Sequence, residues 1–125
     1  MPDMTRISFL LLLLFSTGSP STVRAAERID PEIEYLIGYV EHSNARFIRS
    51  GTEYSAKEGA EHMRYKLAHS GGRVKNADDF IKGIATKSYF TGKPYMVKFP
   101  DGRTVPTGQW MSEALNQYRA RDKKR

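Results

Sequence analysis

Ser55-Ala56-Lys57-Glu58-Gly59-Ala60-Glu61-His62-Met63-Arg64-Tyr65-Lys66-Leu67-Ala68-His69 is the stretch whose reading decides the fold. Ser55 and Glu58 have capping-box spacing. The serine oxygen takes the amide of the third helical residue, and the glutamate reaches back to the serine amide. A helix is therefore predicted from this point to about His69, with Gly71-Gly72 ending it. Ala56, Gly59, Ala60, Met63 and Leu67 form its inner stripe. The small residues at the start of that stripe let another backbone approach closely, and the preceding helix is the expected neighbour.

Upstream, Asp30-Pro31-Glu32 supplies an N-cap acceptor, a proline at the first helical position and an acid in the first turn. Ile33, Leu36, Ile37, Val40 and Asn44 share one side of the helix that follows, which is expected to reach about Ser43. Phe47-Ile48-Arg49 reads as a short extended piece closed by a turn at Ser50-Gly51. Downstream, Asn76 caps a third helix, with Asp79 imitating the box. Ala77, Phe80, Ile81 and Ile84 are its buried stripe, and it ends near Lys87. Thr91-Gly92-Lys93-Pro94 is a loop, Tyr95 to Phe99 a strand, and Pro100-Asp101-Gly102-Arg103 a turn. Thr104-Val105 returns antiparallel, and Thr107 caps a last helix carrying Trp110, Met111, Ala114, Leu115 and Tyr118. The fold class is α+β, mostly helical: about four helices with a short β-hairpin or small antiparallel sheet.

Ile7 to Phe15 is apolar except for Ser8, and the run breaks at Ser16 to Pro20. A bilayer-spanning helix needs about 20 apolar residues, so this stretch suits the core of a cleaved export signal instead. Val23-Arg24-Ala25 places the cut after Ala25, with Ala26 as the alternative, and leaves no transmembrane segment. The start codon is Met1 or Met4. Residues 1–25 are read as signal peptide, 26–118 as one globular domain and 119–125 as a basic flexible tail. The chain has no cysteine. That excludes disulfides, thiolate metal sites and cysteine nucleophiles, and for an exported domain of this size it points to a bacterial periplasm. A domain of this length buries enough surface to fold without a staple.

The net charge of +6 comes mostly from the two ends. Arg119 to Arg125 contributes five basic residues against Asp122, whereas residues 26–118 hold 13 basic and 12 acidic side chains. A nucleic-acid partner is not expected, because its binder would carry the excess on the folded surface.

Phe47-Ile48-Arg49-Ser50-Gly51, Tyr54-Ser55, Glu58, His62-Met63-Arg64 and Lys66-Leu67 resemble a known pattern. Arg73-Val74, Ala77, Phe80-Ile81, Thr91-Gly92-Lys93-Pro94-Tyr95 and Val97-Lys98 extend it. The pattern is that of the YfeK-like family of small exported bacterial proteins, a family of unknown function, and it covers about residues 30 to 118. The resemblance implies a signal peptide and a small periplasmic domain, with no activity to carry over. The family's recurring polar positions fall at Arg49, Glu58, His62, Arg64, Lys66 and Lys93. Some members have a Cys near position 56, where this chain has Ala56, so no thiol role transfers.

Glu58, His62, Tyr65 and His69 form one row on the second helix. Such a row is either a metal or acid–base site or a solvated face, and the solvated face is the preferred reading. His62 and His69 are two turns apart, too far to chelate one zinc easily. No metal site is assigned and no cofactor is expected. On the first helix, Tyr35, Tyr39 and His42 lie beside or away from the apolar stripe, for partner contact or for burial on a second side. Lys93 and Tyr95 lie in a segment without the phosphate-loop pattern. Arg49, Arg64, Lys66 and Lys93 together would suit an anionic group, each alone an ordinary salt bridge.

The preferred function is a non-catalytic periplasmic binding or accessory module, for an envelope protein partner or an anionic envelope ligand. Arg49, Glu58, His62, Arg64, Lys66, Lys93 and Tyr95 are its candidate binding residues. The alternatives are a small hydrolase or metal-dependent enzyme using Glu58 and His62, and a polyanion binder using the 119–125 tail.

Overall fold

The structure, a computed structural model, describes residues 29–124. The expected export signal lies outside them. The elements run α1 (Pro31–Glu41), β1 (Arg46–Arg49), β2 (Thr52–Tyr54), α2 (Ala56–Ala68), α3 (Ala77–Phe80) with a π-helical turn (Ile81–Ala85), β3 (Met96–Lys98), β4 (Thr104–Pro106) and α4 (Thr107–Lys123). The class is mostly helical α+β, as expected.

Local chemistry starts three of the helices. Asp30 accepts the Glu32 N–H at 2.8 Å at the head of α1. Ser55 and Glu58 close the complete capping box of α2, at 3.1 and 3.0 Å. Asn76 accepts the Asp79 N–H, while the Asp79 carboxylate reaches one residue further back, to the Lys75 N–H. The fourth start departs from the expectation. Strand β4 pairs with β3 as far as Pro106, so the helix follows the strand without an intervening loop. Thr107 is the first helical residue, and it supplies no cap.

The sheet is antiparallel in the order β2-β1-β3-β4. Two of its four strands, β3 and β4, form the expected hairpin. Strand β2 is an addition: Ser50 and Gly51 both hold positive φ, at 50° and 83°, and turn the chain straight back against β1. A two-residue loop of this geometry matches the twist of the strands it joins. Phe47 in β1 and Val97 in β3 are directly opposed, and both are buried.

The core lies between the sheet and the helices. Leu36, Ile37 and Val40 of α1 meet Phe80, Met111, Leu115 and Val97 there, all fully buried or nearly so. Trp110 gathers an aromatic cluster at one end, with ring centroids 4.8 Å from Tyr39, 5.7 Å from Phe47 and 6.4 Å from Phe99. Tyr35 stacks on Tyr118 at 4.2 Å. The tyrosines of α1 are therefore half-buried against α4, which is the second-side burial weighed above.

Helix α2 packs on α1, as expected, and its small residues admit a second neighbour as well. A Cβ on Gly59 would lie 3.2 Å from the Phe47 ring, so Gly59 admits β1. Similarly, a Cβ on Gly108 would come within 2.8 Å of Thr86 Oγ1, and α4 can begin where it does only with glycine there.

Helix α4 continues through Lys123, so residues 119–123 are helical. Arg119 donates to both oxygens of Glu32 on α1, at 2.8 and 2.9 Å, and to Asp78 on α3 at 3.1 Å. Those bonds hold the Glu32 carboxyl below the usual carboxylate range. Arg121 donates to the Tyr35 hydroxyl at 2.8 Å. Two of the five basic side chains assigned to a polyanion are thus engaged within the fold. Among the described residues no helix is long and apolar enough to cross a membrane.

Candidate functional site

The site is built around α2, which presents His62 toward the sheet. Burial, then the charges of Arg49 and Lys66, hold the His62 imidazole below the ordinary histidine range, in its neutral form. Arg49 on β1 donates from Nη1 to His62 Nε2 at 3.2 Å. A guanidinium only donates, so Nε2 carries the lone pair and the ring proton sits on Nδ1. The fork of Arg49 keeps donors beyond this one, and Arg49 forms no ion pair with a described residue.

Lys66, one turn beyond His62, reaches across to the π-helical turn. Its ammonium donates to the Ile84 carbonyl at 2.9 Å and to the Tyr95 hydroxyl at 3.0 Å. The Tyr95 oxygen accepts from Lys66, which leaves its own proton to donate elsewhere. Lys66 likewise has no carboxylate partner among the described residues.

These groups surround a cleft of about 420 Å³. That is within the size range of small-molecule sites, roughly 300–1,000 Å³. Phe47, Ile48, Met63 and Ile84 give it apolar walls, and Gly59 leaves room beside the Phe47 ring. Arg49, Tyr54, His62 and Tyr95 add polar ends, and Glu58 and Glu61 are exposed on α2. Thr107 is a further wall residue; it is fully buried, and its Oγ1 is the one buried side-chain oxygen among the described residues without a hydrogen-bond partner. With Lys66 counted, the formal charges of Arg49, Lys66, Glu58 and Glu61 cancel. Such a cleft favours a singly charged ligand over a polyanion.

Four of the seven candidate residues, Arg49, Glu58, His62 and Tyr95, line this cleft, and Lys66 joins it through Tyr95. Two lie elsewhere. Arg64 makes a two-pronged bond to Glu34 on α1, at 2.9 and 3.3 Å, which raises its pKa. Lys93 is exposed on the loop between the π turn and β3 and does not line the cleft. The four basic residues therefore do not converge on one anion.

The row on α2 divides in the same way. Glu58 is held by Ser55, whose backbone hydrogen bond keeps its carboxyl below the usual range. Tyr65 and His69 stack on each other at 4.2 Å and remain exposed. Only His62 turns into the fold. Among the described residues no group of three or more His, Asp or Glu stands together as a cation cage. Sequence reasoning missed Thr107, Tyr54 and Glu61 as wall residues. Their signal is tertiary: Thr107 carries a hydroxyl in an otherwise apolar layer, visible only once the strand runs into the helix.

The depressed His62 pKa gives stability a pH dependence whose sign is determined. The unfolded chain takes up the proton near the ordinary value of about 6.5, whereas the folded chain resists it to lower pH. The stabilisation is complete above that value and is lost as pH falls toward the folded pKa. A series of urea midpoints between pH 8 and pH 5 is expected to decline below pH 6.5, and His62→Gln is expected to flatten that decline. Parallel curves for the two proteins would contradict it.

Fold and cleft together define a small α+β domain with an apolar-walled, charge-balanced pocket at the junction of sheet and helix. The chain belongs to the family described as "Family of unknown function (DUF5329)", whose model matches residues 27–119. It is 41% identical over 88 residues to a Salmonella typhimurium protein, "Uncharacterized protein YfeK", covering 69% of this chain and 71% of that one. No solved structure matches. The YfeK-like resemblance read from the motifs is thereby shown.

Proposed function

We propose that the protein is an exported, non-catalytic binding module whose cleft takes a small organic acid. The carboxylate pairs with the free donors of Arg49, and the apolar body lies against Phe47, Ile48 and Met63. One observation carries this reading: a half-buried arginine with no ion-pair partner among the described residues stands at the end of an apolar cleft. A buried cation without a carboxylate is unfavourable unless a ligand or solvent meets its donors. Neutral His62 orients the guanidinium through Nε2, and Tyr95 offers a second donor. Export rests on the apolar Ile7–Phe15 stretch and the Val23-Arg24-Ala25 motif, and a periplasmic fraction with an N-terminus at Ala26 is its check. The enzyme reading has weaker support, since Glu58 already serves the head of its own helix.

The test is an NMR titration of the protein with hexanoate and with hexanamide, which has the same body and no charge. Hexanoate is expected to shift the Gly59, His62 and Thr107 amides and to bind more tightly than hexanamide. Arg49→Ala is expected to weaken hexanoate by about 10- to 100-fold, the worth of a hydrogen bond to a charged group, and to leave hexanamide unchanged. Equal binding of the two compounds, or an Arg49→Ala protein that binds hexanoate normally, refutes the proposal.

A further inference from the structure

We propose that the loop from Lys87 to Pro94 is a docking finger for an anionic phospholipid surface, with Tyr89 and Phe90 entering the headgroup layer. The two rings at its tip are 89% and 87% exposed and meet edge to face at 5.7 Å. No other large hydrophobic side chain among the described residues is so fully presented to solvent. A flexible loop would fold such rings back onto the protein. This loop is braced instead. Lys87 and Pro94 are bridged, Ser88 N–H donates to the Lys93 carbonyl at 3.0 Å, and Gly92 N–H donates to the Ser88 carbonyl at 2.9 Å. Below them Tyr95 N–H donates to the Thr86 carbonyl at 3.0 Å, and Ser88 is buried at the root. Gly92 supplies the left-handed turn, φ 70°.

Charge selects the partner. From Phe80 to Pro100 the chain contains no Asp or Glu, and it carries Lys82, Lys87, Lys93 and Lys98. Lys87 and Lys93 flank the two rings, are exposed, and form no ion pair with a described residue. Amphipathic rings at a tip with cations beside them match the layered chemistry of a bilayer surface: apolar edge inward, aromatic at the headgroup level, ammonium among the phosphates. The finger reading does not depend on the cleft reading, because none of its contacts uses Arg49 or His62.

The test is co-sedimentation of the protein with vesicles of phosphatidylethanolamine and phosphatidylglycerol, and with vesicles of phosphatidylcholine alone. The N-terminus is established by intact mass and is the same in every variant, so any contribution of residues 1–25 cancels. Retention is expected on the anionic vesicles, to weaken with added salt, and to be negligible on phosphatidylcholine. Tyr89→Ser with Phe90→Ser is expected to reduce it by about ten-fold or more. Lys87→Gln and Lys93→Gln are expected to reduce it by about five-fold each. All four positions are exposed, so thermal midpoints should stay with the parent, and Arg49→Ala should be retained as the parent is. The proposal is overturned if the parent does not sediment with anionic vesicles at low salt, or if the serine variant sediments as the parent does. It is equally overturned if a photo-crosslinker at position 90 joins the chain to a protein in cells while vesicle retention is absent.

Discussion

Replacing Phe80 by alanine is expected to remove about 3–5 kcal/mol of stability, the largest loss of any single truncation in the molecule. Among the described residues Phe80 is the largest side chain that is fully buried. It sits at the last residue of α3, where the helix passes into the π turn, and it belongs to the cluster that α1 and α4 also enter. Collapse of the surroundings is restricted on two sides. Gly108 is already against Thr86, and Lys66 ties the Ile84 carbonyl to α2. A cavity at position 80 therefore stays open, and the cavity cost adds to the lost transfer energy. A domain of this size has about 5–15 kcal/mol in total, so the variant should be folded but close to its limit. Urea unfolding gives the measurement, with the parent slope as the check that both proteins unfold alike. Tyr89→Ala is the contrasting change: an equal aromatic truncation at an exposed position should cost less than about 0.5 kcal/mol. A Phe80→Ala loss below 1 kcal/mol would mean that the layer between α3, α1 and α4 is not packed as described.

What the sequence revealed was what neighbouring residues decide. The caps at Asp30, Ser55 and Asn76 each need only two or three residues, and each stands where the spacing places it. The hairpin of β3 and β4 also follows from its own turn. Elements that depend on distant partners were not legible in the same way. Thr52-Glu53-Tyr54 is too short to show a strand period, and it becomes a strand because the Ser50-Gly51 turn lays it against β1. The π turn has no motif of its own. Thr86 Oγ1 bonds the Ile81 carbonyl at 2.6 Å, and Lys66 on another helix takes the Ile84 carbonyl, so its widened geometry is satisfied from outside. The basic end reads as solvated until Glu32 and Asp78, far away in sequence, are brought to Arg119.

The cleft divides along the same line. Helical periodicity puts Glu58, His62, Tyr65 and His69 in a row, but periodicity cannot tell which part of the row another element covers. Strand β1 covers the middle, so His62 becomes half-buried beside Arg49 while Tyr65 and His69 stay in water. Resemblance at recurring polar positions singled out Arg49, His62 and Lys66 without showing that they adjoin. It also singled out Arg64, whose role here is a salt bridge between α1 and α2.

Thr107→Val is expected to stabilise the protein by about 1–2 kcal/mol and to weaken its ligand binding. The two side chains have nearly the same shape, and the change removes a buried hydroxyl that has no hydrogen-bond partner. A buried polar group left unpaired costs about 1–3 kcal/mol, so deleting it returns part of that. The backbone role of the residue is untouched, because its N–H bonds the Tyr95 carbonyl at 2.9 Å through the main chain. A valine at the first helical position also keeps the strand-like approach from Pro106. Thr107 stands in the cleft wall with Arg49 and Tyr95, its hydroxyl covered beneath that surface. Thr107→Ser separates the two effects, since it keeps the hydroxyl and deletes a buried methyl. It should lose about 1 kcal/mol and bind hexanoate as the parent does. A Thr107→Val protein less stable than the parent would show that the hydroxyl is already hydrogen-bonded in solution. One that is stabilised yet binds hexanoate normally would remove Thr107 from the site and leave Arg49 and Tyr95 to hold the ligand alone.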